Sequence, residues 1–126
     1  MLNVWGDGMN ALQAIREALE PIGVPVELAP YDGGDESTYI VYRVTDTYGA
    51  DWSDDDAGAE ISECVVYLCC PLGENPSKLS RKMKKLIREK EYFTYPRMVY
   101  DQDPEGKMTV WAYSFQYESV PENEEE

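Results

Sequence analysis

The sequence predicts an α+β domain: a mixed or mainly antiparallel sheet of about five strands with two helices packed on one face, in the order α-β-β-β-α-β-β. Three observations predict it. Residues 8–20 and 76–90 repeat apolar side chains at helical spacing, five other stretches alternate or run together β-branched and aromatic residues, and proline, glycine and aspartate punctuate the intervals. At 126 residues one core suffices, burying about two-thirds of the surface of the unfolded chain without a metal or disulfide staple. Neither a repeat nor a linker divides the chain, which reads as a single domain over residues 1–120 and a disordered acidic tail over 121–126.

The first helix places Leu12, Ile15, Leu19 and Ile22 on one stripe with Ala11, Ala14 and Ala18 alongside, has Asp7 available as a cap, and ends before Pro21. Val24 to Leu28 alternates but carries prolines, which suit an edge strand. After the turn of residues 30–35, Thr38 to Thr47 is a β-branched and aromatic strand. The acidic segment from Tyr48 to Ala59 is too polar for the core and is expected to face outward. In the next strand, Glu60 to Cys70, apolar residues occur on both faces, so each is expected to be partly covered. Asn75 and Pro76 offer a cap and a first-turn proline for the second helix, whose stripe is Leu79, Met83, Leu86 and Ile87. Strands over about Phe93 to Asp101 and Lys107 to Glu118 form a hairpin through the turn at 102–106. In the last strand Thr109, Trp111, Tyr113, Phe115 and Tyr117 share one face.

Composition excludes much familiar chemistry. The chain has no histidine, so it lacks the commonest metal ligand and the imidazole base on which many serine and cysteine nucleophiles rely. With 25 acidic and 11 basic residues its net charge is −14, which disfavours general affinity for phosphate backbones. The three cysteines, Cys64, Cys69 and Cys70, sit within one apolar strand and read as small buried hydrophobes. The N-terminus lacks a basic and apolar leader pattern, and the longest apolar run, Cys64 to Leu72, is far below the ~20 residues that span a bilayer; a cytosolic chain with no membrane association is expected.

Charge is distributed unevenly. Seven of the eleven basic residues lie between Ser77 and Glu91, a stretch of net charge +5, which leaves −19 on the rest. Such a dipolar chain suits contacts in which the basic helix of one copy meets the acidic surface of another, the plainer alternative being a solvated helix face. The basic helix has no aromatic residue between Pro76 and Glu91 on which a base would stack, so nucleic-acid recognition by it is disfavoured.

The remaining motifs carry little chemistry. Asp51, Ser53 and Asp55 match the opening of a calcium loop, but Asp56 stands where glycine is needed and Ser62 where glutamate is needed. An improvised divalent site at Asp54, Asp55 and Asp56 competes with a simply solvated loop. The carboxylates and lysine of Asp103 to Lys107 resemble a metal-dependent nuclease cluster in composition, yet fall in a turn where such clusters need strands lining a cleft. No phosphate-binding glycine loop precedes either helix. No catalytic, cofactor or metal residue is therefore assigned, and no enzymatic activity is expected. The candidate interface residues are Trp52, isolated among Asp51, Asp54, Asp55 and Asp56, together with Lys78, Arg81, Lys82, Lys85 and Arg88. For Trp52 the competing reading is a fold-back onto its own sheet.

The order of segments resembles a known family. The helix from Met9 to Leu19, the Tyr39-Ile40-Val41-Tyr42 strand, the acidic loop, the Glu63-Cys64-Val65-Val66-Tyr67-Leu68 strand, and Leu79 to Arg88 opening into an aromatic hairpin are similar to tail-terminator and tail-completion (minor tail) proteins of long-tailed bacteriophages and prophages. The resemblance covers about Met9 to Glu118 and rests on element order, the paired tyrosines and the basic helix. It implies a virion protein of the tail or neck, made in the bacterial host cytoplasm, that forms a ring homo-oligomer, commonly a hexamer. Its partners would be copies of itself, the tail tube protein and the head–tail connector protein, with DNA only as passing cargo and no cofactor. Two alternatives stay open: another neck or minor capsid component, and an acidic DNA-mimic binding protein. Against the mimic, many carboxylates cluster in a loop and tail instead of being spaced along rigid elements.

Overall fold

The computed structural model describes residues 10–31, 37–49, 60–102 and 108–119. Helix α1 spans Ala11–Leu19 and is held at its start by a reciprocal pair: the Gln13 N–H donates to Asn10 Oδ1 at 2.9 Å and the Asn10 N–H donates to Gln13 Oε1 at 3.3 Å. The cap is thus Asn10, not Asp7, and the helix begins three residues later than its periodicity suggests. The reason is local: Asn10 has extended backbone and lies three residues before a glutamine able to return the bond, the geometry of a capping box. Replacing Asn10 by alanine is expected to cost about 1 kcal/mol of stability in urea unfolding, and an unchanged midpoint would contradict that role. After Leu19 the chain tightens into a 3₁₀ turn, Glu20–Ile22, that accommodates Pro21, and Gly23 at φ 94° redirects it into the sheet.

The five strands are β1 (Val26–Leu28), β2 (Tyr39–Gly49), β3 (Glu60–Pro71), β4 (Arg97–Gln102) and β5 (Met108–Ser119), and helix α2 spans Ser77–Arg88. They form one sheet in the order β1-β2-β3-β5-β4, with β1 parallel to β2 and every other pair antiparallel. This is the expected α+β class with a mixed sheet.

Several boundaries differ from expectation, each for a physical reason. β2 runs past Thr47 to Gly49 because Tyr48 and Gly49 continue the ladder opposite Ile61 and Glu60. β4 starts at Arg97 instead of Phe93: Pro96 has no N–H to contribute, and Phe93 makes only an isolated bridge to Tyr117 as it turns into the core. Pro76 occupies the N-cap of α2 instead of its first turn and, having no side-chain acceptor, makes no cap bond; Asn75, one residue outside the expected cap position, accepts the Ser77 N–H at Oδ1 at 2.9 Å. A register shift between Val44 and Asp46 reverses the alternation of β2, so Val44 pairs with Cys64 on the helix side while Asp46 pairs with Glu63 on the other.

Both helices cover the same sheet face. Ala14, Ile15, Ala18 and Leu19 of α1 and Met83 and Ile87 of α2 meet Ile40, Tyr42, Cys64, Val66, Leu68, Tyr113 and Phe115. The aromatic face of β5 thus becomes core, extended by Tyr92 and Phe93, whose rings meet Tyr117 and Phe115 edge-on at centroid distances of 5.2 and 5.1 Å. Within this layer the hydroxyls of Ser80 and Tyr113 share a buried hydrogen bond. A smaller apolar cluster of Tyr39, Val41, Cys69 and Met108 occupies the opposite face, so both faces of β3 are partly covered.

Candidate functional site

Burial of Ser80, Met83 and Ile87 orients α2, and the helical repeat then sets everything opposite them in solvent. Lys78, Arg81, Lys85 and Arg88 follow one another at intervals of three, four and three residues and are all exposed, forming a straight cationic stripe along the outer face. Lys82 and Lys84 flank it and are engaged by the fold: Lys82 Nζ donates to the Ile22 carbonyl at 3.2 Å, and Lys84 Nζ lies 5.8 Å from the Tyr113 ring centroid. Of the five basic candidates, Lys82 is therefore partly spent on holding α2 to the 3₁₀ turn that follows α1. At the other end of the stripe the Arg88 guanidinium sits 5.2 Å from the centroid of Tyr95.

Tyr95 connects the stripe to a surface that sequence reasoning missed. It is 57% exposed, and Met98 and Val99 on β4 are 41% and 52% exposed. β4 is an edge strand, with β5 on one side only. The opposite edge, β1, has three residues, is preceded by Pro25 and is followed by the cis Ala29-Pro30 bond. The two edges are unequal: the short one is bounded by prolines, whereas the longer one presents apolar side chains beside cations. The available signal was Pro96, which delays β4 and leaves Tyr95 outside the ladder.

On the sheet face away from the helices, Tyr48, Glu63 and Gln116 form a polar cluster. The Tyr48 hydroxyl donates to Glu63 Oε2 at 2.7 Å and Gln116 Nε2 donates to the same oxygen at 2.9 Å. The Tyr48 bond first and the Gln116 bond second hold the Glu63 carboxyl below its usual range, and the same bond to Glu63 raises Tyr48. A carboxylate stabilised in this way is a poor proton acceptor, so the cluster ties β2, β3 and β5 together and is ill suited to act as a general base. The three cysteines are free and buried, and desolvation pushes Cys64 up to about 12 and Cys69 up to about 11, the range of inert structural thiols.

Trp52, Asp51, Asp54, Asp55 and Asp56 lie outside the described residues, as do the Asp103 to Lys107 turn and Asp7. Among the described residues no group of three or more His, Cys, Asp or Glu side chains is placed to hold a metal ion, and no helix is long and apolar enough to cross a membrane.

No family model matches the chain, and no curated protein matches it. Solved structures do match: one, 15% identical, aligns over 91% of this chain and 100% of its own with a TM-score of 0.51. That likeness shows the fold alone.

Proposed function

We propose that the chain is a structural subunit of a phage or prophage tail: a tail terminator that joins copies of itself into a ring, hexameric as in the family it resembles. The ring caps the tail tube and offers a docking face to the head–tail connector. It works through binding surfaces and catalyses no reaction. Made in the host cytoplasm, it resides at the junction of tail and head, and DNA passes it only as cargo.

The observation that carries this reading is the segregation of charge on a rigid scaffold. The cationic stripe of α2 lies on one outer face of a chain whose residues outside 77–91 sum to −19, so unlike surfaces of identical subunits attract head to tail. A predominantly acidic ring also gives passing DNA nothing to adhere to. Size-exclusion chromatography with light scattering, followed by electron microscopy of mixtures with purified tail tube protein, tests it. Rings at the ends of tubes, with tube growth arrested, are expected. A strictly monomeric species in the presence of tube protein would overturn ring capping.

A further inference from the structure

We infer that the sheet face turned away from the helices is a docking site for an amphipathic helix of a different protein, one that carries carboxylates along both sides of an apolar stripe. The site lies on the face opposite the α2 stripe and goes beyond the assembly reading, on which it does not depend.

Alternation along β3 turns Ile61, Val65, Tyr67 and Cys69 away from α1 and α2. An antiparallel sheet face left to solvent is ordinarily polar, so a central strand that is apolar on both sides calls for a second covering layer. One end of this face has its cover: Ala29 packs on the cluster of Tyr39, Val41, Cys69 and Met108, and the Tyr31 ring meets Tyr39 edge-on at 5.5 Å. The other end is polar and carries the cluster of Tyr48, Glu63 and Gln116. Between them Val65, Tyr67 and Ser114 are half-buried, and no described helix lies over them.

Sheet register names the charge of the occupant. Arg43 pairs with Val65, Val65 with Ser114, and Ser114 with Arg97, so the four form one row across β2, β3, β5 and β4 on this face. An arginine thus stands at each end of the row, and both are exposed. Only four basic residues lie outside residues 77–91, and two of them are placed here, without a carboxylate partner among the described residues.

The spacing names its shape. Three strand intervals of about 4.8 Å set the two arginine backbones about 14 Å apart. A helix with its side chains is about 10–12 Å across, so one lying along the strands fits between the arginines and brings a carboxylate to each. The stretch of β3 from Cys69 to Glu63 gives the site a length of about 20 Å, enough for about 13 residues of helix. Asp46 and Glu63, paired one row beyond the arginines, meet the end of that helix and favour its N-terminus there.

A second copy does not supply such a helix from its described elements. The apolar stripes of α1 and α2 are committed to their own core, and the outer face of α2 is cationic. A nucleic acid is the weaker occupant, since its phosphates would meet Asp46 and Glu63 beside the arginines.

Designed probes binding to the full chain test the site. The probe is a synthetic peptide of about 18 residues, beyond the length at which isolated helices are marginal, with a leucine stripe flanked on both sides by glutamates. Its control has lysines in place of the glutamates. Arg43 and Arg97 are exposed, so R43E, R97E and R43E/R97E are expected to keep the wild-type circular dichroism. Fluorescence anisotropy should show the wild type binding the glutamate peptide at least about tenfold more tightly than the lysine peptide, and R43E/R97E reversing that preference. Each single variant should weaken the glutamate peptide, because the two arginines hold opposite sides of one helix. R81E/K85E should bind as the wild type does, and the peptide should shift the amide resonances of Val65, Tyr67 and Ser114. Equal affinity for the two peptides, a loss confined to one of the single variants, or resonance shifts confined to α2 would overturn the site. Self-association of the wild type in sedimentation velocity that R43E/R97E abolishes would overturn it in favour of a second copy. Binding of a DNA oligonucleotide that R43E/R97E abolishes, with no binding of the glutamate peptide, would overturn it in favour of a nucleic acid.

Discussion

Replacing Phe115 by alanine is expected to lower the unfolding free energy by about 3–5 kcal/mol. Phe115 is 2% exposed and stands opposite Cys64 in the β3–β5 ladder, in the layer the helices cover. Its ring also receives the edge of Phe93, which belongs to the segment joining α2 to β4, a segment that also hydrogen-bonds to β5 through the Thr94 N–H to the Gln116 carbonyl and the Glu118 N–H to the Tyr92 carbonyl. Truncation leaves a cavity and removes an aromatic contact that holds this connection down, so the loss exceeds the simple transfer of a benzyl group. Domains of this size are stable by only about 5–15 kcal/mol, which makes the effect visible as a large drop in urea midpoint. Phe115→Leu, which keeps most of the volume, should cost about 1 kcal/mol. A change below ~1 kcal/mol for the alanine variant would mean that the aromatic layer is not a packed core.

Alkaline pH is expected to destabilise the fold well before the backbone is chemically affected. Burial pushes the Cys64 thiol from its ordinary 9.0 up to about 12 and Cys69 up to about 11, while Cys70, Tyr92 and Tyr117 are raised as well, burial being the leading cause in each. These groups stay protonated in the folded chain where the unfolded chain has already released their protons. The stability they sustain is therefore complete below the unfolded value near 9 and is lost as pH climbs toward the folded values. Each fully buried thiol can contribute a slope of up to about 1.4 kcal/mol per pH unit in that window. Urea unfolding between pH 8 and 11 measures it: the wild type should fall steadily, and Cys64→Ala should fall less steeply from its own starting stability. Equal stability across that range would show that the thiols are not desolvated in the folded state.

Much of the fold was legible in the chain because the relevant signals are local. The spacing of Leu12, Ile15, Leu19 and Ile22 marks an apolar stripe whatever it packs against, and the odd positions of Thr109 to Tyr117 mark an aromatic strand face. The cationic stripe was legible for the same reason, since Lys78, Arg81, Lys85 and Arg88 share a helix face by spacing alone. The cap of α1 was misplaced although its motif was present: Asp7 and Asn10 are both cap residues, and the reciprocal bond from Gln13 selects Asn10. The apolar half of the candidate surface was not legible. Nothing in Tyr95, Met98 or Val99 distinguishes an edge strand from a central one, because exposure at an edge depends on which strands pair.

The sequence by itself determined the number, type and order of the elements, the faces each would bury, and the concentration of positive charge on one helix. All of these follow from the fixed periods of helix and strand. Only the tertiary structure decided that β1 lies parallel beside β2, that β5 enters between β3 and β4, and that Arg88 comes to rest over Tyr95. Strand pairing is settled by how several apolar faces are buried at once, and backbone hydrogen bonds are alike for any pair of strands. Contacts between residues distant along the chain are therefore a property of the packed whole and not of any segment within it.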